Sequence, residues 1–403
     1  LKKIKAFRKT FYKNNRWRVG KKMSPENLLT VLQGVFSGIT GLSWQAAVMI
    51  ALGLVLIYLG VKHEVEPLLL IPIGFGCILA NLPLTGITGE EGLLGYFYRA
   101  GIVTEIFPCL IFIGIGAMTD FTPLLQNPRV FLLGGAGQFG IFLTLLLALA
   151  LGFDRLEAVC VGIIGACDGP TSIYVTSRFA PHLLGPVSVA AYSYMSLVPI
   201  IQPPLMRLVT GRQERRRLME YTADKPVPQS VRVIFPLAVT IITILIAPMG
   251  APLMGTLMLG NFLKECGVVE RLSKTAQNEI ANAVTLLLGL TIGATMNGEV
   301  FLTAKTLFIF LLGAVAIALD TVAGIFLAKI MNLFCREKIN PLLGAAGISA
   351  FPMAARVAHV VGSQENPQNY LLMHAMGVNT GGQVGSVLAA SIMLAVLSAM
   401  GIV

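Results

Sequence analysis

Asp168 is the acid whose surroundings say most about its chemistry. It follows the uncharged run Ala158–Cys167 and is followed at once by Gly169-Pro170. An ionised carboxylate in hydrocarbon is costly, so it normally faces a cavity, a partner or an ion. Pro170 lacks an N–H and Gly169 relaxes the backbone, so an ordinary helix cannot continue through that step. Unwinding there frees carbonyl oxygens beside a carboxylate, the ligand set that hard cations such as sodium prefer. The plainer alternative is a loop aspartate outside the membrane that caps a helix.

A second broken segment supplies oxygens without charge. Asn340 precedes Pro341, Gly344 and Gly347 loosen the backbone, and Ser349 adds a hydroxyl. Asn379, inside Gly377-Val378-Asn379-Thr380-Gly381-Gly382, is another amide in what reads as an interrupted apolar stretch. Taken singly, each is as readily a cap or turn residue. Their clustering at related breaks favours an ion path. Arg356, in Pro352-Met353-Ala354-Ala355-Arg356-Val357, has apolar residues on both sides, and its fork suits a carboxylate or a carboxylated ligand. The alternative is an arginine that snorkels to the interface. Tyr192 and Tyr194 are either interfacial belt residues or phenols at an ion cavity, able to give a proton or a ligand oxygen. Asp320 is a second acid in an apolar run; it either pairs with a basic group or lines a pathway.

Other chemistries lack their signatures. The four histidines (His63, His182, His359, His374) have no metal-ligand spacing, and the six cysteines form no CxxC pair. A transition-metal site or disulfide framework is therefore not expected. No GxSxG, Walker A or HExxH pattern occurs.

The elements that must hold these residues are membrane helices. Of 403 residues, 55% are hydrophobic and only 12% are charged, against about 25% charged in a soluble domain. The net charge of +10 is unevenly placed, with ten Lys or Arg and no acid in residues 1–24 and a second cluster at Arg207, Arg212, Arg215, Arg216 and Arg217. The positive-inside bias explains both clusters, and no groove-reading motif supports nucleic-acid binding. Both clusters, and with them the N-terminus, are expected on the cytoplasmic side. The chain opens on Leu1, so its natural start is expected further upstream, and no cleavable signal peptide is apparent.

Hydrophobic segments recur along the chain, several of them too short or too broken to span alone. The expected architecture is an all-α membrane protein with about 10–12 transmembrane or re-entrant segments. The boundaries read as a basic head and lead-in (1–42), a first membrane repeat (43–206), a basic cytoplasmic linker (207–232) and a second membrane repeat (233–403). Three features recur at near-constant spacing: Gly114-Ile115-Gly116-Ala117 with Thr291-Ile292-Gly293-Ala294, the two Gly-rich breaks, and Arg178 with Arg356. Paired interrupted segments of this kind point to a transporter site near the midplane of two inverted repeats. Tight helix packing through glycine is the alternative.

Several longer motifs carry a resemblance. They include Phe112-Ile113-Gly114-Ile115-Gly116-Ala117-Met118-Thr119-Asp120-Phe121, Gly165-Ala166-Cys167-Asp168-Gly169-Pro170-Thr171, Ala191-Tyr192-Ser193-Tyr194-Met195, Gln202-Pro203-Pro204, Asn340-Pro341-Leu342, Pro352-Met353-Ala354-Ala355-Arg356 and His374-Ala375-Met376-Gly377. Together, from about residue 43 to the C-terminus, they resemble the β subunit of the sodium-pumping oxaloacetate, methylmalonyl-CoA and glutaconyl-CoA decarboxylases. The resemblance implies a prokaryotic inner-membrane subunit that decarboxylates carboxybiotin, consumes a proton and drives sodium outward. It assigns Asp168, Asn340, Ser349 and Asn379 to the sodium path and Tyr194 to sodium or proton handling. Gly344, with Gly169 and Pro170, shapes the site, and Arg356 lies towards the carboxybiotin end. Asp168, Tyr194 and Arg356 are the implied catalytic set. The implied partners are a carboxyltransferase α subunit, a biotin carrier subunit, a small single-span accessory subunit and further β copies, in a trimer. The chain has no Met-Lys-Met biotinylation site, so the biotin comes from the carrier. The connection between Leu82 and Gly101 is short where oxaloacetate-decarboxylating members carry an insertion, which favours an acyl-CoA substrate. The rival reading is a secondary sodium or proton transporter without decarboxylase chemistry.

Overall fold

The computed structural model describes residues 41–64, 66–219 and 226–399, with isolated positions 38 and 401. It separates into two compact units, Leu1–Ser43 and Trp44–Val403. The ten basic residues expected in the head lie outside the described residues, and the second unit is the subject below.

That unit is built of helices, with no strand among the described residues. In chain order the principal helices are α1 (Trp44–Lys62), α2 (Pro67–Asn81), α3 (Ile106–Met118), α4 (Phe139–Ala150), α5 (Arg155–Gly162), α6 (Gly169–Phe179) and α7 (Leu184–Val209). After the linker come α8 (Gln229–Ile246), α9 (Ala251–Glu265), α10 (Ala281–Thr295), α11 (Ala304–Phe334), α12 (Met353–Glu365) and α13 (Leu372–Ala399). Among the described residues six helical stretches are long and apolar enough to cross a bilayer, and a seventh span counts Leu93–Val103 with α3 as one bent pair. Outward faces are apolar: Ile234, Leu237, Ile241 and Leu245 make an exposed stripe at helical spacing along α8. In lipid such a stripe costs nothing, because the tails are as apolar as the side chains.

Helices of the two halves interlock through glycine. A Cβ on Gly76 of α2 would overlap the backbone of α10, and one on Gly293 of α10 would overlap α2. The same reciprocal exclusion joins Gly116 of α3 with Gly260 of α9. Bare backbone at these crossings lets the helices approach closely, which is how dispersion replaces the hydrophobic effect inside a membrane.

Two segments turn back instead of crossing. The first runs through α5, a 3₁₀ stretch at Ile163–Ala166 and α6. Its two ends are held together, with Glu157 bonding His182 at 3.0 Å and Lys305 at 2.8 Å. The second runs from a 3₁₀ stretch at Pro341–Gly347 through α12. Its ends are likewise joined, because Asn340 bonds the Arg215 and Arg217 carbonyls while Glu365 pairs with Arg215 at 2.9 Å. Lys305 opens α11, and the second base lies by its far end, where Asn332 bonds both backbone groups of Ile339. At 31 residues, α11 measures about 46 Å. The hairpins therefore enter from opposite ends of the bundle and meet by their tips, where the Ser349 N–H donates to the Ala166 carbonyl at 3.0 Å.

One expectation needs correction. Gly377–Gly382 does not interrupt the chain, since α13 runs unbroken through it. Those glycines serve close approach, and a Cβ on Gly382 would overlap the Gly347 carbonyl. Gly298, between α10 and α11, packs on Gln45, so α1 starts at the end of the bundle opposite the arginine linker.

Candidate functional site

The tip of the first hairpin is set by a helix start inside the protein. Cys167 holds a left-handed conformation at φ 51° and is fully buried, a geometry that costs about 1–3 kcal/mol in a residue with a side chain. The turn delivers Asp168 to the N-cap of α6. Its carboxylate accepts from the Thr171 hydroxyl at 2.6 Å, the Thr171 N–H at 3.4 Å and the Ser386 hydroxyl of α13 at 3.2 Å. Asp168 is buried and makes no ion pair among the described residues. Its charge is met only by hydroxyls and a helix N-terminus, weaker compensation than a cation.

The second tip arrives alongside. The Ser349 hydroxyl donates to the Gly382 carbonyl at 2.9 Å. The Asn379 amide donates to the Ala346 and Ile348 carbonyls at 3.1 and 2.7 Å, which fixes its Oδ1 with no partner. Gln138 repeats the pattern: Nε2 donates to the Gly347 and Gly382 carbonyls, and Oε1 is unpaired. Gln202 does so once more, with Nε2 on the Ala345 carbonyl and Thr321 hydroxyl and Oε1 unpaired. An unsatisfied buried oxygen costs about 1–3 kcal/mol. Three amide oxygens are left in this state around the second tip, and carboxylate, amide and hydroxyl oxygens are the ligand types that hard cations take.

Of the residues singled out in the sequence, Asp168, Ser349 and Asn379 converge here, with Gly169 and Pro170 forming the turn beneath Asp168. A Cβ on Gly169 would overlap the ring of Tyr192, whose buried hydroxyl has no partner. Tyr194 faces the other way and bonds the Phe310 carbonyl of α11. Asn340 stays at the base of its hairpin with its amide committed to the linker, about 14 Å of 3₁₀ rise from the tip. Gly344 lies between them, against Gly324 of α11. Arg356 is exposed on α12, and its side chain makes no hydrogen bond or ion pair among the described residues. Thr171, Ser386, Gln138 and Gln202 join the site without having been assigned to it from the sequence, and of the two readings open for Tyr192 the buried one holds.

The sequence of this assembly matches one family model over residues 45–397, that of the Na+-transporting oxaloacetate decarboxylase beta subunit. The chain belongs to this β-subunit family. It is 51% identical to the methylmalonyl-CoA decarboxylase subunit beta of Veillonella parvula over 362 residues, covering 90% of this chain and 96% of the relative. It is 50% identical to the glutaconyl-CoA decarboxylase subunit beta of Acidaminococcus fermentans over 370 residues, covering 92% and 97%. The probable oxaloacetate decarboxylase beta chain of Vibrio cholerae is 43% identical over 431 residues, covering 92% and 99%. The longer alignment to the last means that it carries segments this chain lacks. As a decarboxylase β subunit the chain is the membrane part of a multi-subunit, Na+-transporting complex. The unpaired oxygens by the second hairpin thus lie in a protein whose family is Na+-transporting.

Proposed function

We propose that this β subunit decarboxylates carboxybiotin delivered by a carrier subunit and uses that step to export sodium. The observation that carries the reading is the meeting of the two hairpin tips around Asp168, Ser349 and Asn379. Sodium, as cargo, takes the Asp168 carboxylate and the free Asn379 oxygen, with Ser349 and Ser386 as neutral neighbours. The two halves act as inverted repeats whose hairpins enter from opposite sides, so small opposed movements of the tips expose the ion first to one side and then to the other. The arginine linker marks the cytoplasmic side of a prokaryotic inner membrane.

The carboxylated arm docks from that side. A cavity of about 460 Å³ opens there, lined by Arg129, Asn127, Lys338 and Ile339. Ile339 leads into the second hairpin, and His374 on the same wall lies in the first turn of α13, the helix of Asn379 and Ser386. Occupancy of the cavity thereby acts on two of the elements that build the ion site. Arg356, unpaired on α12, awaits an anionic group from a ligand or a neighbouring subunit. The chain's greater likeness to the methylmalonyl-CoA and glutaconyl-CoA relatives supports an acyl-CoA as the acid of the whole complex. A carboxyltransferase α subunit, a biotin carrier, a small accessory subunit and a β trimer complete it.

The test is biotin dependence. Reconstituted protein given carboxybiotin should release CO2 only when sodium is present. Sodium flux indifferent to avidin, with no such release, would support a plain secondary transporter instead.

A further inference from the structure

Asp320 lies deep in the bundle and takes no part in the sodium site just proposed. It stands sixteen residues after Ala304 in α11, about 24 Å along the helix, and is fully buried. Its Oδ1 accepts the Gly140 N–H of α4, and its Oδ2 has no partner. The acid is wedged between α4 and the first hairpin: a Cβ on Gly165 would stand 3.2 Å from Oδ2. The titratable groups that face it are few. The hairpin tip presents Cys167 and, beyond it, Asp168. From α7, Gln202 reaches the neighbouring Thr321, and Tyr194 is turned to Phe310 one side along α11. α4 offers it the Gly140 N–H, and the second hairpin offers α11 the backbone of Gly344. No Lys, Arg or His pairs with Asp320 among the described residues.

A buried carboxylate with one N–H donor and no cation is penalised by several kcal/mol. Two occupants relieve that penalty, a proton or a metal cation. A hard cation needs a shell of several oxygens, and Oδ2 faces Gly165 instead. A proton needs none. We infer that Asp320 is a proton-binding site inside the membrane, holding its carboxyl as the neutral acid on the far side of the first hairpin's tip from Asp168. The tip segment Gly165–Cys167 then lies between a proton site at Asp320 and a cation site at Asp168. Movement of that hairpin away from α11 opens Oδ2 towards the hairpin's base at Glu157, His182 and Lys305, the end opposite the arginine linker. A proton entering there is the kind that carboxybiotin decarboxylation consumes. When the N–C bond breaks, CO2 leaves and the ureido nitrogen keeps the electron pair and takes up one proton. That use of the site rests on the decarboxylase reading; its occupancy by a proton does not.

Infrared difference spectroscopy of the whole protein in lipid decides occupancy. At neutral pH the wild type should show the C=O stretch of a protonated carboxyl that moves in heavy water, vanishes in Asp320→Asn and returns displaced in Asp320→Glu. A carboxylate band for Asp320, or no band removed by the asparagine, overturns the inference. Sodium-22 binding at undiminished affinity in Asp320→Asn confirms that the variant is folded. If it fails, Asp320→Glu carries the comparison alone. In proteoliposomes, Asp320→Asn should lose proton uptake from the end opposite the linker. Uptake equal to wild type would refute the transport role. A wild type that releases no CO2 from carboxybiotin would fail the decarboxylase reading while leaving the infrared result to stand.

Discussion

Gly344 and Gly324 meet backbone to backbone where the second hairpin crosses α11. A Cβ on Gly344 would lie 2.6 Å from the Ile325 nitrogen and closer still to the Gly324 carbonyl, where ordinary contact begins at 3.4 Å. The hairpin and the helix would have to part by about 0.8 Å or more, in an interior packed too densely to absorb it. Overpacking of this kind costs about 1–3 kcal/mol. The hairpin's free end is its tip, so the displacement should appear at Ser349 and at the carbonyls that hold Asn379. If the strain is relieved there, a coupling of about 1–3 kcal/mol weakens sodium activation by about 5- to 150-fold. Gly324→Ala attacks the same contact from the other side, so it should do the same, and the two together should cost less than their sum. The assay is the sodium concentration that half-activates decarboxylation, measured beside thermal unfolding of each variant. Wild-type sodium dependence in both alanine variants would refute the reasoning. So would full additivity in the double variant.

Three further outcomes follow from the same contacts. Ser386→Ala removes one hydroxyl from Asp168, so sodium binding should weaken by about fivefold, for about 1 kcal/mol; calorimetric titration measures it, and unchanged affinity would separate α13 from the site. Asn340→Ala strips the Arg215 carbonyl of its side-chain donor and leaves that of Arg217 with Asn369 alone, so hydrogen exchange should rise in residues 207–219 and stability fall by about 1–3 kcal/mol. Its effect on sodium affinity should be smaller than that of Asn379→Ala, and the reverse order would return Asn340 to the ion path. Glu214 bonds the Gly211 N–H and pairs with Lys329 at 3.0 Å; burial pushes its carboxyl up, but these partners outweigh burial and hold it below the ordinary 4.5. Its contribution is therefore present above about pH 4.5 and lost as pH falls through the lower folded value. Glu214→Gln should cost up to about 1 kcal/mol at neutral pH, a difference from wild type that shrinks in acid; a pH-independent difference would contradict the pairing.

Much of the site was legible because membrane depth makes polar residues conspicuous. Asp168 stands out as an acid between an apolar run and Gly169-Pro170, and Ser349 and Asn379 stand out beside glycine. What the sequence conceals is which polar groups meet. Gln138, Gln202 and Ser386 are single residues in apolar helices, and their roles arise only when distant segments pack on the hairpin tips. Tyr192 and Tyr194 are two positions apart, so a helix turns them to nearly opposite sides. The family resemblance singles out Tyr194, and it is Tyr192 that lies on the turn at Gly169. Asn340 has a ligand's chemistry, but the 3₁₀ stretch after it carries the chain about 14 Å before the tip is reached. Gly377–Gly382 reads as a break because glycine weakens isolated helices, whereas here its missing side chains admit neighbouring backbone.

Coupling at one site is the centre of this account, and Asp168→Asn in the reconstituted complex tests it most directly. Sodium-22 uptake and CO2 release from carboxybiotin should be followed in the same vesicles, before and after avidin. Both should be abolished together in the variant and both should be avidin-sensitive in the wild type. Sodium-dependent CO2 release that persists in Asp168→Asn after transport has stopped would contradict a shared site.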